Sequence, residues 1–371
     1  MPPTSAAAIP LILLAALVPT GLQAQLERLD VPSGTVMVGG LGVFDNMDSR
    51  FNDGTTESLL GPAVPPVTGA DADVNLGFGA LDVGLGILPR VTIYGRVPLV
   101  RQRIRAIIRR GGTGPDSLVD TVLARAGDAE IALSYLVRDR WDRAGRSGRG
   151  SGGSGGHLGG SRIAIIARVR LPTGLAGDPN DPLSIGTGTG QTDVSLGLVG
   201  DWGSGNWGVR LAGTYTLRSA ATIRAAIRSP RTPLDFAPPT ANVRWTPGNA
   251  FHLTAQPFFR LAPALALRAT VSYGSLAEDG FAYASPADAV PGVDPSVMAD
   301  GTSRNSWTVG GGLTYSSPST ADPRGGRGLP VEAHISYRGI AGSGRGVVPK
   351  RRGVVVGLRF YFRLWGVAGG S

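Results

Sequence analysis

The chain is 371 residues long, with 57 glycines, about twice the usual share, no cysteine, and a net charge of +9 carried almost wholly by arginine. The lack of cysteine excludes a disulfide framework and any thiolate metal centre. Lys350 is the only lysine, and the arginines alternate with apolar residues instead of clustering, which speaks against nucleic acid as a partner.

From the N-terminus, Ala6 to Val18 is an apolar stretch broken by Pro10 and followed by Leu22-Gln23-Ala24, a small-residue cleavage site. The run is shorter than the roughly 20 residues a spanning helix needs. Residues 1–24 therefore read as a removed signal peptide and residues 25–371 as the mature chain. Every later apolar run is short and interrupted, so an exported protein of this kind is either soluble or a β-barrel.

Past Gln25 the apolar residues recur with period two, which is the period of a strand. Twelve segments follow, near 33–43, 73–86, 89–99, 127–138, 161–171, 190–201, 206–218, 250–260, 264–275, 304–316, 329–340 and 352–364. Most run longer than the roughly 5–6 residues of a globular strand and match the roughly 9–11 needed to cross a bilayer at a tilt. Short turns near Leu88, Trp202–Gly205 and Leu261–Pro263 alternate with long links at 44–72, 100–126, 172–189, 219–249 and 276–303. Short turns on one side and long loops on the other are the pattern of outer-membrane barrels. The expected fold is thus all-β, a transmembrane antiparallel barrel of about twelve strands, with fourteen as the alternative. A Gly/Ser/Arg tract at 139–160 interrupts the short-turn side and reads as an insertion, and Thr240–Trp245 has the makings of one more short strand. Trp141, Trp202, Trp207, Trp307, Tyr315 and Trp365 suit the aromatic girdles at the two membrane faces.

The alternation also assigns faces. Val354, Val356, Leu358, Phe360 and Phe362 share one side of the last segment, and Val355, Gly357, Arg359, Tyr361 and Arg363 share the other. The lumen candidates are Arg168, Arg170, Arg210, Arg218, Arg260, Arg268, Arg338, Arg359 and Arg363, with Arg90, Arg96 and Arg162. Inward acids are fewer: Asp128, Glu130, Asp193 and Glu332. Rings of arginine favour anions in a pore, whereas paired arginines and carboxylates would plug it.

Two stretches resemble a known family. Gly127-Asp128-Ala129-Glu130 opens one strand. Leu171-Pro172-Thr173-Gly174 ends another, and a Gly-rich loop leads to Gly190-Gln191-Thr192-Asp193 at the start of the next. These are similar to the meta-pathway phenol-degradation family of outer-membrane proteins, over about residues 127–218. The resemblance implies a transporter-like barrel for hydrophobic or aromatic nutrients. It carries over no ligand residues. The chain runs past Phe362 and Trp365 to Ser371, whereas substrates of the barrel-assembly machinery commonly end on an aromatic residue.

Other motifs carry less. His334 and Ser336 share a face, but it is the face of Glu332 and Arg338, away from lipid, so a lipid-modifying enzyme is not expected. Residues 186–190 lack the lysine of a phosphate loop. Asp178, Asn180 and Asp181 read as a solvated turn, and three histidines without cysteine make no zinc site. Residues 101–110, RQRIRAIIRR, and 116–126 read as a surface loop at the barrel mouth, with lipopolysaccharide phosphate as the competing use. The expected function is passive uptake of small, hydrophobic or aromatic solutes across the outer membrane of a Gram-negative-type bacterium, without a cofactor. Membrane lipid, lipopolysaccharide, the solute and the assembly machinery are the expected partners. The alternative is a structural or adhesion barrel with a plugged lumen.

Overall fold

A computed structural model describes residues 31–62, 67–110, 117–140, 160–174, 187–188, 190–232, 238–317 and 330–364. The signal segment, most of the 139–160 tract, Trp141, Trp365 and the Asp178–Asp181 turn lie outside the described residues.

In chain order the strands are β1 (Thr35–Asn52), β2 (Thr55–Ser58), β3 (Val67–Leu88), β4 (Val91–Arg110), β5 (Ser117–Ala126), β6 (Glu130–Asp139), β7 (Gly160–Arg170), β8 (Asp193–Ser204) and β9 (Trp207–Arg218). Then come β10 (Ala221–Ala226), β11 (Thr240–Thr246), β12 (Ala250–Ala262), β13 (Leu265–Leu276), β14 (Gly280–Tyr283), β15 (Arg304–Ser316), β16 (Val331–Arg345) and β17 (Val347–Arg363). Twelve of them close a ring in the order β1-β3-β4-β6-β7-β8-β9-β12-β13-β15-β16-β17, and β17 pairs back onto β1 from Thr35↔Arg363 to Asn52↔Val347. All pairings are antiparallel. Closure leaves no sheet edge at membrane depth, so every backbone group there finds its partner within the barrel.

The twelve segments read from period two are the twelve barrel strands, but several run much further than the sequence suggests. β3 has 22 residues, β4 has 20 and β1 has 18, whereas β6 to β13 of the ring have only 10 to 13. The supposed loops 44–72 and 100–126 are therefore largely strand. Residues 101–110 continue β4, with Arg101, Arg103 and Arg105 on the outer face and Gln102, Ile104 and Ala106 turned inward, and β5 pairs them. One wall of the barrel, β16-β17-β1-β3-β4, thus stands taller than the other on the long-loop side.

The outer face is apolar around the ring. Leu196 is 62 % exposed, and Leu253, Val309, Ile335 and Leu358 are also bare to the surroundings. Trp207 meets Phe259 at 4.5 Å between ring centroids near one rim, and Tyr273 meets Trp307 at 4.9 Å near the other. On β9 the interval from Trp207 to Tyr215 is eight residues. At about 3.3 Å each and the usual tilt, that gives roughly 20 Å of height between girdles, close to an outer-membrane apolar band.

Thr240–Trp245 does form a strand, β11, but outside the ring. It pairs with β10 and β14 in a separate three-stranded sheet built from the β9–β12 and β13–β15 links. Ala225, Ile227, Val243 and Met298 make its apolar core. The barrel count stays at twelve because a seven-residue strand is too short to span and finds its partners within the loops.

Candidate functional site in the barrel interior

Directly opposite residues on antiparallel strands touch, so the inner face can be followed sideways around the ring. One such row runs Glu332–Arg359 between β16 and β17, crosses β1 at Gly39, and continues Asp82–Arg96–Glu130–Arg170–Asp193–Arg218 to β9. The charges alternate at every step, four acids against four arginines. Arg96 grips Asp82 through two bonds of 2.7 and 3.1 Å and lies 3.9 Å from Glu130. Arg170 bridges Glu130 and Asp193 at 3.2 Å each, with Arg218 3.9 Å from Asp193. Arg168 adds a contact of 3.8 Å to Glu130, and Arg359 lies 3.7 Å from Glu332, which also accepts the Tyr361 hydroxyl at 2.6 Å. Gly39 interrupts the row for a steric reason. A Cβ there would lie 2.8 Å from Arg359 Cγ, so its absence makes room for the arginine stem.

A second row begins Asp139–Arg162–Asp201–Arg210 on the short wall. Arg162 reaches Asp139 at 3.0 Å, and Arg210 takes Asp201 in a two-pronged grip of 2.7 and 2.9 Å. On the tall wall Arg338 reaches past Gly353 to Asp45 at 3.0 Å. A side chain at Gly353 would run into the Phe44 carbonyl and Asp45 itself.

These rows place the sequence candidates. Arg168, Arg170, Arg210, Arg218, Arg260, Arg268, Arg338 and Arg359 turn inward, as do Glu130, Asp193 and Glu332. Arg363 is inward by alternation but exposed at the rim. Two placements differ from expectation. Arg90 sits exposed in the β3–β4 turn, beyond the last ladder pair. Asp128 belongs to a loop junction: its Oδ1 accepts the Gly174 N–H at 2.8 Å, and Gly174 and Gly188 pass so close that neither tolerates a Cβ. Thr173 completes the junction by donating to the Gly127 carbonyl and accepting the Ala129 N–H. The motifs behind the family resemblance thus meet at one place.

The sequence reading missed Asp45, Asp82, Asp139 and Asp201. Alternation would have found Asp82 and Asp201, which share parity with inward neighbours; Asp45 fell in a stretch read as loop. It also missed an apolar inner wall. Met37, Leu41, Val43, Phe78, Ala80 and Val355 turn inward on β1, β3 and β17 and are buried. The lumen is therefore mixed around the ring: apolar clusters lie on the tall wall (Leu41, Val43, Phe78, Ala80, Val355) and on the short one (Ala132, Leu136, Ala164, Ile166, Val199, Ala212), and charged rows cross both. Met37, Tyr94 and Ala132 border a cavity of about 30 Å³ together with Asp82, Arg96 and Arg359.

The small sheet covers the outer mouth. It springs from β9, β12, β13 and β15, yet its ties lie at β1, which is six places from β9 around the ring. Buried Arg50 of β1 donates to the carbonyls of Pro230 and Arg231 at 3.1 and 2.7 Å and is held by Glu57 at 2.6 Å. Arg231 bonds Asp53 and Asp300 at 2.7 Å each and also reaches Asn52. Hydrogen bonds from Arg231 and the Gly346 N–H hold the Asp53 carboxyl below its ordinary range.

Among the described residues no three His, Asp or Glu side chains converge as a metal would require. No family model matches the sequence, and no curated protein matches it. Among solved structures, an outer membrane channel from Pseudomonas putida F1 is similar over 90% of this chain and 96% of that chain, at 12% identity and a TM-score of 0.54. The fold is an outer-membrane β-barrel. A FadL homologue of Pseudomonas aeruginosa (10% identity, 89% and 90% covered, TM-score 0.35) and the transport unit of the autotransporter AIDA-I from Escherichia coli (7%, 91% and 93%, 0.40) also align with the barrel. At those scores neither adds to the fold assignment.

Proposed function

We propose that the chain is an outer-membrane channel for passive uptake of small hydrophobic or aromatic solutes. The mixed lumen carries this reading: apolar Met37, Tyr94 and Ala132 border the same cavity as Asp82, Arg96 and Arg359, so a ring and its polar substituent would both find contacts there. Residence in the outer membrane of a Gram-negative-type bacterium and delivery by the barrel-assembly machinery accompany it. Outward Arg101, just above the apolar Leu99, supports lipopolysaccharide phosphate as a partner, while Arg103 and Arg105 beside it are engaged by Asp120 of β5. The arrangement supports a channel better than an enzyme, since His334 faces the lumen with its ring over Gly357 and Ser336 beside it.

A second reading, a structural barrel with a plugged lumen, is favoured by the complete burial of Val43, Met47, Val74 and Val355 and by the sheet tied across the mouth. Single-channel recording of the refolded chain in planar bilayers separates the two. A channel gives discrete conductance steps, and a plugged barrel gives none.

A further inference from the structure

Most inward arginines are neutralised by the rows described above, but at the short-turn end of the barrel two neighbouring ones are not. Arg260 on β12 and Arg268 on β13 form no ion pair among the described residues. Arg260 Nη1 and Arg268 Nε are buried without a hydrogen-bond partner. The carboxylates within electrostatic reach of Arg268 are committed elsewhere: Asp201 to both prongs of Arg210, and Glu332 to Tyr361 and Arg359. Both guanidinium groups instead lie against one aromatic ring, Phe258, at 5.6 Å for Arg268 and 5.9 Å for Arg260. That ring lies over Gly208, where any Cβ would displace it. The cluster faces the lumen close to the β12–β13 turn, at the inner mouth of the barrel.

Arginine keeps its charge in any protein environment, so an unpaired buried guanidinium is a standing cost until an anion arrives. Two of them beside a flat ring supply N–H donors for a carboxylate and a stacking surface for a second ring. We infer that Phe258, Arg260 and Arg268 form a binding site for aromatic carboxylates at the inner mouth. The inference rests on the channel reading for its purpose, as the station from which a solute leaves the lumen, but binding itself requires no conduction.

Calorimetric titration of the purified full-length protein in detergent with sodium benzoate tests it, with benzamide, cyclohexanecarboxylate and chloride as comparison ligands. Benzoate is expected to bind, benzamide to bind about 10–100-fold more weakly, the range for losing hydrogen bonds to a charged group, and cyclohexanecarboxylate to fall between. Arg268→Gln and Arg260→Gln should each weaken benzoate binding by about tenfold or more, and Phe258→Leu should erase the preference for benzoate over cyclohexanecarboxylate. Because Arg268→Gln removes an unpaired charge, its thermal midpoint should equal or exceed that of the parent, which excludes misfolding as the cause. Benzoate binding that survives both arginine substitutions overturns the site, and so does chloride competing as well as benzoate. Benzoate binding without any conductance retains the site and refutes the channel instead.

Discussion

Leu358 and Arg359 are neighbours in β17 with opposite environments, and the contrast gives the most direct residue-level test. The outer face of β17 is apolar from Val354 to Phe362, which places Leu358 near the membrane midplane, with Phe360 two residues nearer the rim. Leu358→Arg should cost about 2–4 kcal/mol in denaturant unfolding from lipid, and Phe360→Arg less, because the penalty falls with depth. Arg359→Leu should cost less than Leu358→Arg, since Glu332 retains the Tyr361 hydroxyl. Equal losses at 358 and 359 would mean a register displaced by one residue. Gly353→Ala provides a second test. The new methyl would meet the Phe44 carbonyl, which is backbone and cannot swing aside, and would separate Arg338 from Asp45. A loss of roughly 1–3 kcal/mol is expected for such overpacking, whereas an unchanged unfolding midpoint would show that the Arg338–Asp45 crossing contributes nothing.

At the scale of elements, the sheet of β10, β11 and β14 is tied to the tall wall by charge. Asp53 has a depressed carboxyl pKa, so its contribution is fully present above the ordinary carboxylate value near 4 and is lost as pH falls through the lower folded value. Backbone hydrogen exchange of residues 221–226 and 240–246, corrected for intrinsic rate, should therefore be slow at pH 7 and faster near pH 3. Asp53→Asn or Arg231→Ser should reproduce the fast exchange at pH 7 while leaving β6 to β9 protected. Uniform acceleration through the whole barrel would show unfolding and not release of the sheet. These elements also mark where sequence is informative. Strands that present lipid on one side declare themselves through alternation, which is why β7, β9 and β17 were legible with their faces. Above the membrane the outer faces of β3 and β4 meet polar surroundings while Val74, Ile104 and Ala106 stay buried inside. Charge replaces apolar residues on the outer side there, so Asp71–Asp73 and Arg101–Arg105 looked like loop. β11 had strand chemistry, but its partners β10 and β14 lie 14 and 34 residues away in the chain, and no local pattern reports that pairing.

For the whole molecule, the interior decides between conduit and plug, and the sequence could only count charges there. It found most of the arginines but fewer than half of the acids, and so suggested a lumen with a large excess of arginine. With Asp45, Asp82, Asp139 and Asp201 in place the rows are close to balanced, and arginine remains in excess mainly at the two ends, around Arg260 and Arg268 at one and Arg351 at the other. A modest anion preference, weakened by salt, is what such a lumen should produce. The tied sheet sets a further condition, because a closed mouth lowers flux even when the lumen below is passable. The most direct measurement is therefore solute entry into proteoliposomes, run in parallel for the parent chain and Arg231→Ser, with benzamide as a neutral aromatic and benzoate as its anionic counterpart. The channel account predicts entry above protein-free vesicles, faster for benzoate than benzamide at low salt, and faster still when Arg231→Ser frees the sheet. Entry no greater than in protein-free vesicles for both proteins and both solutes would contradict it and leave a plugged structural barrel.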